Sequence, residues 1–159
     1  FFWFMYRRSV AEQSLNAHTM HSPKFQTFSV KNQSTQFEFY ILCKGLNSGK
    51  PLETPCPNSF VCICKNQDEK DFYFWLLFGL WKAKHVHQLL TGSVIPFIRI
   101  DEFKKEVATQ AEHVSKQRTA YAKTIDKIKL LEQKEKQLQQ YLAVIQDVKR
   151  ATIYGCLKR

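Results

Sequence analysis

The sequence predicts an α+β protein: a small mixed sheet packed on one aromatic-rich helix, followed by a long C-terminal amphipathic helix of coiled-coil character. Three observations carry this. Short apolar or alternating runs recur between residues 25 and 65, separated by turn-forming segments. The stretch FYFWLLFGLW (72–81) is apolar on every side, with acidic residues before it and basic ones after it. Beyond Pro96 neither Pro nor Gly occurs until Gly155, while apolar residues recur in steps of three, four or seven.

The elements follow in order. Phe25, Thr27 and Ser29 alternate with Gln26, Phe28 and Val30, a strand pattern, and polar KNQSTQ (31–36) is a connection. Phe37–Cys43 (FEFYILC) is the second strand. KGLNSGKPLETPCPN (44–58), with its Gly, Pro and Asn residues, holds no regular structure for long. In Ser59–Lys65 (SFVCICK), Phe60, Cys62 and Cys64 share one face while Val61 and Ile63 share the other, so this strand is central and covered on both sides. Asn66–Leu90 reads as one helix, with Asp68, Glu69 and Asp71 in its first turns and Lys82, Lys84, His85 and His87 in its last. Its apolar middle demands burial on more than one side, and a single sheet covers only one. Gly92 ends it, and Ser93–Ile100 (SVIPFIRI) is a further strand, held to an edge by Pro96.

Asp101 then serves as N-cap of the long helix. Its stripe comprises Phe103, Val107, Ala111, Val114, Tyr121, Ile125, Ile128, Leu131, Leu138, Leu142, Ile145 and Val148, with Arg118 and Glu135 interrupting the seam. Unbroken, a helix of about 50 residues would run about 75 Å; the apolar signal is thinnest at 115–120, where a break is expected. Such a stripe requires a partner. The domain expectation is an extension at 1–21, a head at 22–100 and a helical arm at 101–159.

Composition narrows the class. The chain has 159 residues, 44% hydrophobic and 14% aromatic, which is globular rather than disordered. Its formal charge is +10, spread evenly along the chain, which favours polyanionic partners without naming one. Five Cys, odd in number and irregularly spaced, make no disulfide framework and fit a reducing, cytoplasmic setting. The opening FFWFMYRR is too short to span a bilayer, and its charges follow its apolar run, unlike a signal peptide. Met20 is a plausible start, and no membrane association is expected.

Catalytic and cofactor motifs are missing. GLNSGK (45–50) has three residues between its glycines and Pro51 after its lysine, so it fails the nucleotide phosphate-loop pattern. It remains either a surface turn or a loop whose Lys44, Asn47, Ser48 and Lys50 reach phosphates or base edges with backbone and side-chain donors. Cys56, Cys62, Cys64, His85 and His87 lack the paired spacing of a zinc site, and buried thiols are the simpler reading. His85 and His87 diverge on a helix; with Lys82 and Lys84 they form an exposed basic end. No enzyme, cofactor or metal is expected.

The segments FYILCKGLNSGKPLETPCPNSFV (39–61), FYFWLLFGLW and LTGSVIPFIRI (90–100) resemble a family of uncharacterised proteins from gut Bacteroidetes, over roughly residues 22–159. That family implies no activity. The order of elements also resembles half of the specificity subunit of type I restriction systems, a target-recognition domain ending in an apolar helix, a Gly-Ser-x-Ile-Pro-like strand and a spacer helix. The Pro-Pro and Glu-Gln pair usual before that spacer helix is replaced by IRIDEFKKEV. The resemblance implies a non-catalytic DNA-recognition module with a dimerising helix. Duplex DNA would meet Lys44, Asn47, Ser48, Lys50, Lys82, Lys84, His85, His87 and Arg99, and a helical partner or second copy would lie along 103–148. The alternative is a protein–protein adaptor that binds no nucleic acid.

Overall fold

A computed structural model describes residues 22–30 and 35–157. The expected N-terminal extension (1–21) and most of the KNQSTQ connection fall outside these residues. The described residues divide into two compact units, one ending at Ala108 and one beginning at Thr109.

The first unit is built on a four-stranded sheet of β1 (Lys24–Thr27), β2 (Glu38–Leu42), β3 (Pro51–Leu52) and β4 (Ser59–Ile63), in the order β1-β4-β2-β3. Every pairing is antiparallel. The two richest apolar runs occupy the two central positions, as burial on both faces requires. Phe25 lies opposite Cys62, which in turn lies opposite Phe39, and Ile41 lies opposite Phe60. Directly opposed residues share a face, so these five form one greasy surface, and all are buried.

That surface carries two helices. In α1 (Gln67–Lys82), Asn66 is the N-cap, its side chain accepting the Glu69 amide at 2.8 Å. Phe74 meets Phe39 edge to face, with centroids 5.4 Å apart. From α2 (Ile100–Ser115), Phe103 packs on Phe25 at 5.7 Å and on Phe60 at 5.9 Å. On the opposite sheet face Tyr40 and Val61 are buried, and Phe28 stands edge-on to Tyr40 at 5.6 Å. Glu38 is buried there too. Its carboxylate accepts from Tyr40 Oη at 2.5 Å and from the Thr35 amide and hydroxyl at 2.9 and 3.0 Å.

Four expectations need correction. The helix expected over Asn66–Leu90 ends at Lys82; Lys84 takes a left-handed conformation (φ 57°), and a 3-10 turn, His85–Leu89, follows. A left-handed residue cannot continue an α-helix, and charge order alone gives no sign of it. Nor is α1 buried all round. Only Tyr73, Leu76 and Leu77 are buried, and the remaining aromatics cover one another along the helix: Phe74 on Trp75, Trp75 on Phe78, and Phe78 on Trp81, at 5.3–5.9 Å. Ser93–Ile100 is not a strand. Gly92 (φ +94°) and Pro96 turn the chain back, leaving single bridges from Phe97 to Thr91 and to Lys44. Finally, α2 begins at Ile100, so Asp101 stands in its first turn; the Arg99 carbonyl accepts the Phe103 amide at 3.0 Å, which makes Arg99 the cap.

The second unit contains the end of α2 and all of α3 (Arg118–Leu157). The expected thin point is a real interruption. Residues 116–117 leave the helix, and the Gln117 amide turns to the Val114 carbonyl at 3.0 Å. At 40 residues, α3 is about 60 Å long. Ala111 and Ile125 are buried, whereas Leu131, Leu138, Leu142, Ile145 and Val148 are exposed. No helix among the described residues is long and apolar enough to cross a membrane.

Candidate functional site

The loop between β2 and β3 is folded by its own backbone. The Ser48 amide and hydroxyl both donate to the Gly45 carbonyl, at 3.1 and 2.6 Å, and the Lys50 amide donates to Asn47 at 3.1 Å. The Gly49 amide reaches Leu42 at 2.7 Å, and the Gly45 amide reaches Pro96 at 2.7 Å. These four amides are therefore committed within the fold and are not offered to a phosphate. Ser48 is likewise removed as a contact residue: it is 0% exposed, because its side chain closes the turn. Gly49 explains the compactness. Its φ is +90°, and a Cβ there would sit 2.7 Å from a Val86 methyl carbon.

Loop 44–50 also lies against residues 91–98. Besides the Gly45–Pro96 bond, the Ile98 amide donates to Cys43 at 3.0 Å, and Phe97 bridges to Lys44. The KGLNSGKPL and GSVIPFI segments, far apart in the chain, thus form one two-loop surface. Its tip is apolar and open: Leu46 is 77% exposed, Val94 90% and Ile95 63%.

The lysines divide. Lys50, at the end of the loop, and Lys82, at the end of α1, converge on one indole: their ammonium groups lie 5.2 and 5.7 Å from the Trp81 ring centroid, and Lys82 also lies 5.6 Å from Phe78. The half-buried rings beneath are the Trp75–Phe78–Trp81 row already described. Lys44, Asn47 and Lys84 are exposed. The other candidates stand apart. His85 is half-buried, its Nε2 2.6 Å from Glu106 Oε1 on α2, so it is engaged within the head rather than presented outward. Arg99 pairs with Glu102 at 3.6 Å. His87, half-buried in the 3-10 turn, is not an exposed helix end. Trp81 and Phe78 were missed as site residues because their apolar run reads as core; the lysine directly after Trp81 was the available signal.

The thiols are inward. Cys43, Cys62 and Cys64 are buried, with Cys62 Sγ 3.9 Å from Cys64 Sγ, and all five cysteines are free. Burial pushes the Cys62 thiol well up, the Cys64 hydrogen bond adding to it, and burial raises Cys43 as well. Among the described residues, no three His, Cys, Asp or Glu side chains gather where a metal ion would be held.

A protein-family model described as a family of unknown function, DUF6943, matches residues 25–155. The chain belongs to DUF6943. The match takes in the sheet, the two-loop surface and nearly all of α3 of this DUF6943 chain. No curated protein and no solved structure matches it.

Proposed function

We propose that this DUF6943 chain is a non-catalytic, cytoplasmic binding module whose head grips the phosphate backbone of duplex DNA. The observation that carries the reading is the convergence of Lys50 and Lys82 on Trp81. Two like charges brought from separate elements onto one ring make a local cationic site; the ring's negative face stabilises both, and a phosphate oxygen is an acceptor suited to bridge them. Lys44, Asn47 and Lys84, in the same loop and just after α1, are exposed and add polar and cationic groups, and the +10 charge supplies the long-range attraction. The apolar helix and the later long helix keep part of the order of a restriction-specificity half-subunit, although the strand expected between them is not formed, and this supports the same reading by analogy.

The test is fluorescence anisotropy with random-sequence duplex between about 50 and 200 mM salt. Binding is expected to weaken steeply across that range. The double variant K50A/K82A is expected to bind several-fold more weakly, with a salt slope shallower by about 1–2. Salt-independent binding, no binding, or an unchanged double variant would each refute the proposal. A second reading, a protein–protein adaptor, is favoured by one observation of its own, the row of exposed aliphatic residues on α3. Under that reading the K50A/K82A variant keeps all its binding properties.

A further inference from the structure

The exposed face of α3 has an internal order that specifies its partner. Placed on heptads, Ile128, Glu135, Leu142, Lys149 and Cys156 fall at one seam position (a), and Leu131, Leu138, Ile145 and Thr152 at the other (d). Tyr141 and Val148 flank the seam and widen it; Leu131 is 66% exposed and Leu138 63%. The four exposed seam aliphatics, Leu131, Leu138, Leu142 and Ile145, and the two flanking residues line one side of the helix, an aligned apolar row rather than scattered surface residues. The seam carries two charges, Glu135 and Lys149. They have opposite sign and lie seven residues to either side of Leu142.

We propose that α3 pairs with α3 of a second copy of this chain, antiparallel, so that Glu135 of each copy faces Lys149 of the other. A parallel, in-register pair sets Glu135 against Glu135 and Lys149 against Lys149 inside the seam, two like-charge clashes where water is excluded. It gains only a rim contact between Lys127 and Glu132, which is solvent-screened and weak. In an antiparallel pair, a positions layer against d positions. Two registers centre on this stretch, one joining Leu138 to Leu142 and the other joining Leu142 to Ile145. Each sets Glu135 within about 4.5–6 Å along the axis from Lys149 of the second copy. Glu135 accepts a contact from Gln139 at 3.3 Å, and a carboxylate has several acceptor sites to offer an incoming ammonium. The pairing is independent of what the head binds.

The test is sedimentation velocity of the full chain over a concentration range of about 1–200 μM. The wild type is expected to dimerise within it. E135K and K149E, both at exposed positions, are each expected to weaken the dimer about tenfold or more, and the double exchange E135K/K149E is expected to restore it. A monomer throughout overturns the proposal. So do single variants that leave dimerisation unchanged, as a parallel pair would, since each merely swaps one like-charge pair for another. Orientation has its own readout in the exposed Cys156. In a C56S background, mild oxidation is expected to leave the antiparallel dimer without a disulfide, because the two Cys156 thiols lie at opposite ends; a Cys156–Cys156 cross-link overturns the proposal.

Discussion

Gly49 is the residue on which the two-loop surface depends. With φ +90° and Val86 pressed against its α-carbon, it has neither the dihedral nor the space for a side chain. Val86 is 1% exposed and has nowhere to move. Gly49→Ala is therefore expected to destabilise the protein by about 2–4 kcal/mol, combining left-handed strain with overpacking, read as a lowered midpoint in urea. At this scale the sequence is a partial guide. The identities of Lys50 and Lys82 were enough to nominate them, but their meeting on Trp81 depends on where loop and helix end in space. Ser48 has the composition of a contact residue and the geometry of a turn staple. Glu38 carried no signal at all, since a carboxylate in a strand is ordinarily solvent-facing; donors such as Tyr40 and Thr35 make its burial tolerable.

At the scale of elements, periodicity was reliable where one physical cause acted alone. β2 was legible from its dense aromatic and aliphatic run and β4 from its two apolar faces, and α1 starts where Asn66 and the acidic turn say it should. Asn66→Ala is expected to cost about 1 kcal/mol through the lost bond to the Glu69 amide, measurable as a small drop in thermal midpoint with unchanged helicity. The misread elements are those set by tertiary contact or by a single dihedral. Lys84 ends a helix without any Gly or Pro to announce it. The segment 91–98 has strand composition but spends its pairing on two single bridges, because Gly92 and Pro96 bend it away from the sheet. The interruption at 116–117 was visible as a thinning of the apolar stripe, the one feature of the arm that needed no neighbours to be seen.

For the whole molecule, stability at alkaline pH follows from what is sealed inside. Burial holds the Tyr73 phenol up at about 12 against an ordinary 10, and raises the Cys43 and Cys62 thiols above their ordinary 9. These groups are neutral in the folded chain, whereas the unfolded chain loses their protons from about pH 9 upward. The unfolded state then binds fewer protons, so unfolding becomes easier as pH rises. The contribution is complete below pH 9 and is lost between about 9 and 12, with about 2–3 kcal/mol from Tyr73 alone. Urea midpoints at pH 8 and pH 10.5 are expected to fall in that order; equal midpoints would mean the groups ionise freely in the folded state. The hairpin-like excursion at 92–96 has a practical corollary. Its two ends are clamped together, the Thr91 and Phe97 amides each donating to the other's carbonyl at 2.9 and 2.8 Å, while Val94 at its crest touches almost nothing. A guest peptide spliced between Ser93 and Val94 would be carried like a flag on a fixed pole, giving this family a handle for dyes or affinity tags that leaves the sheet below undisturbed.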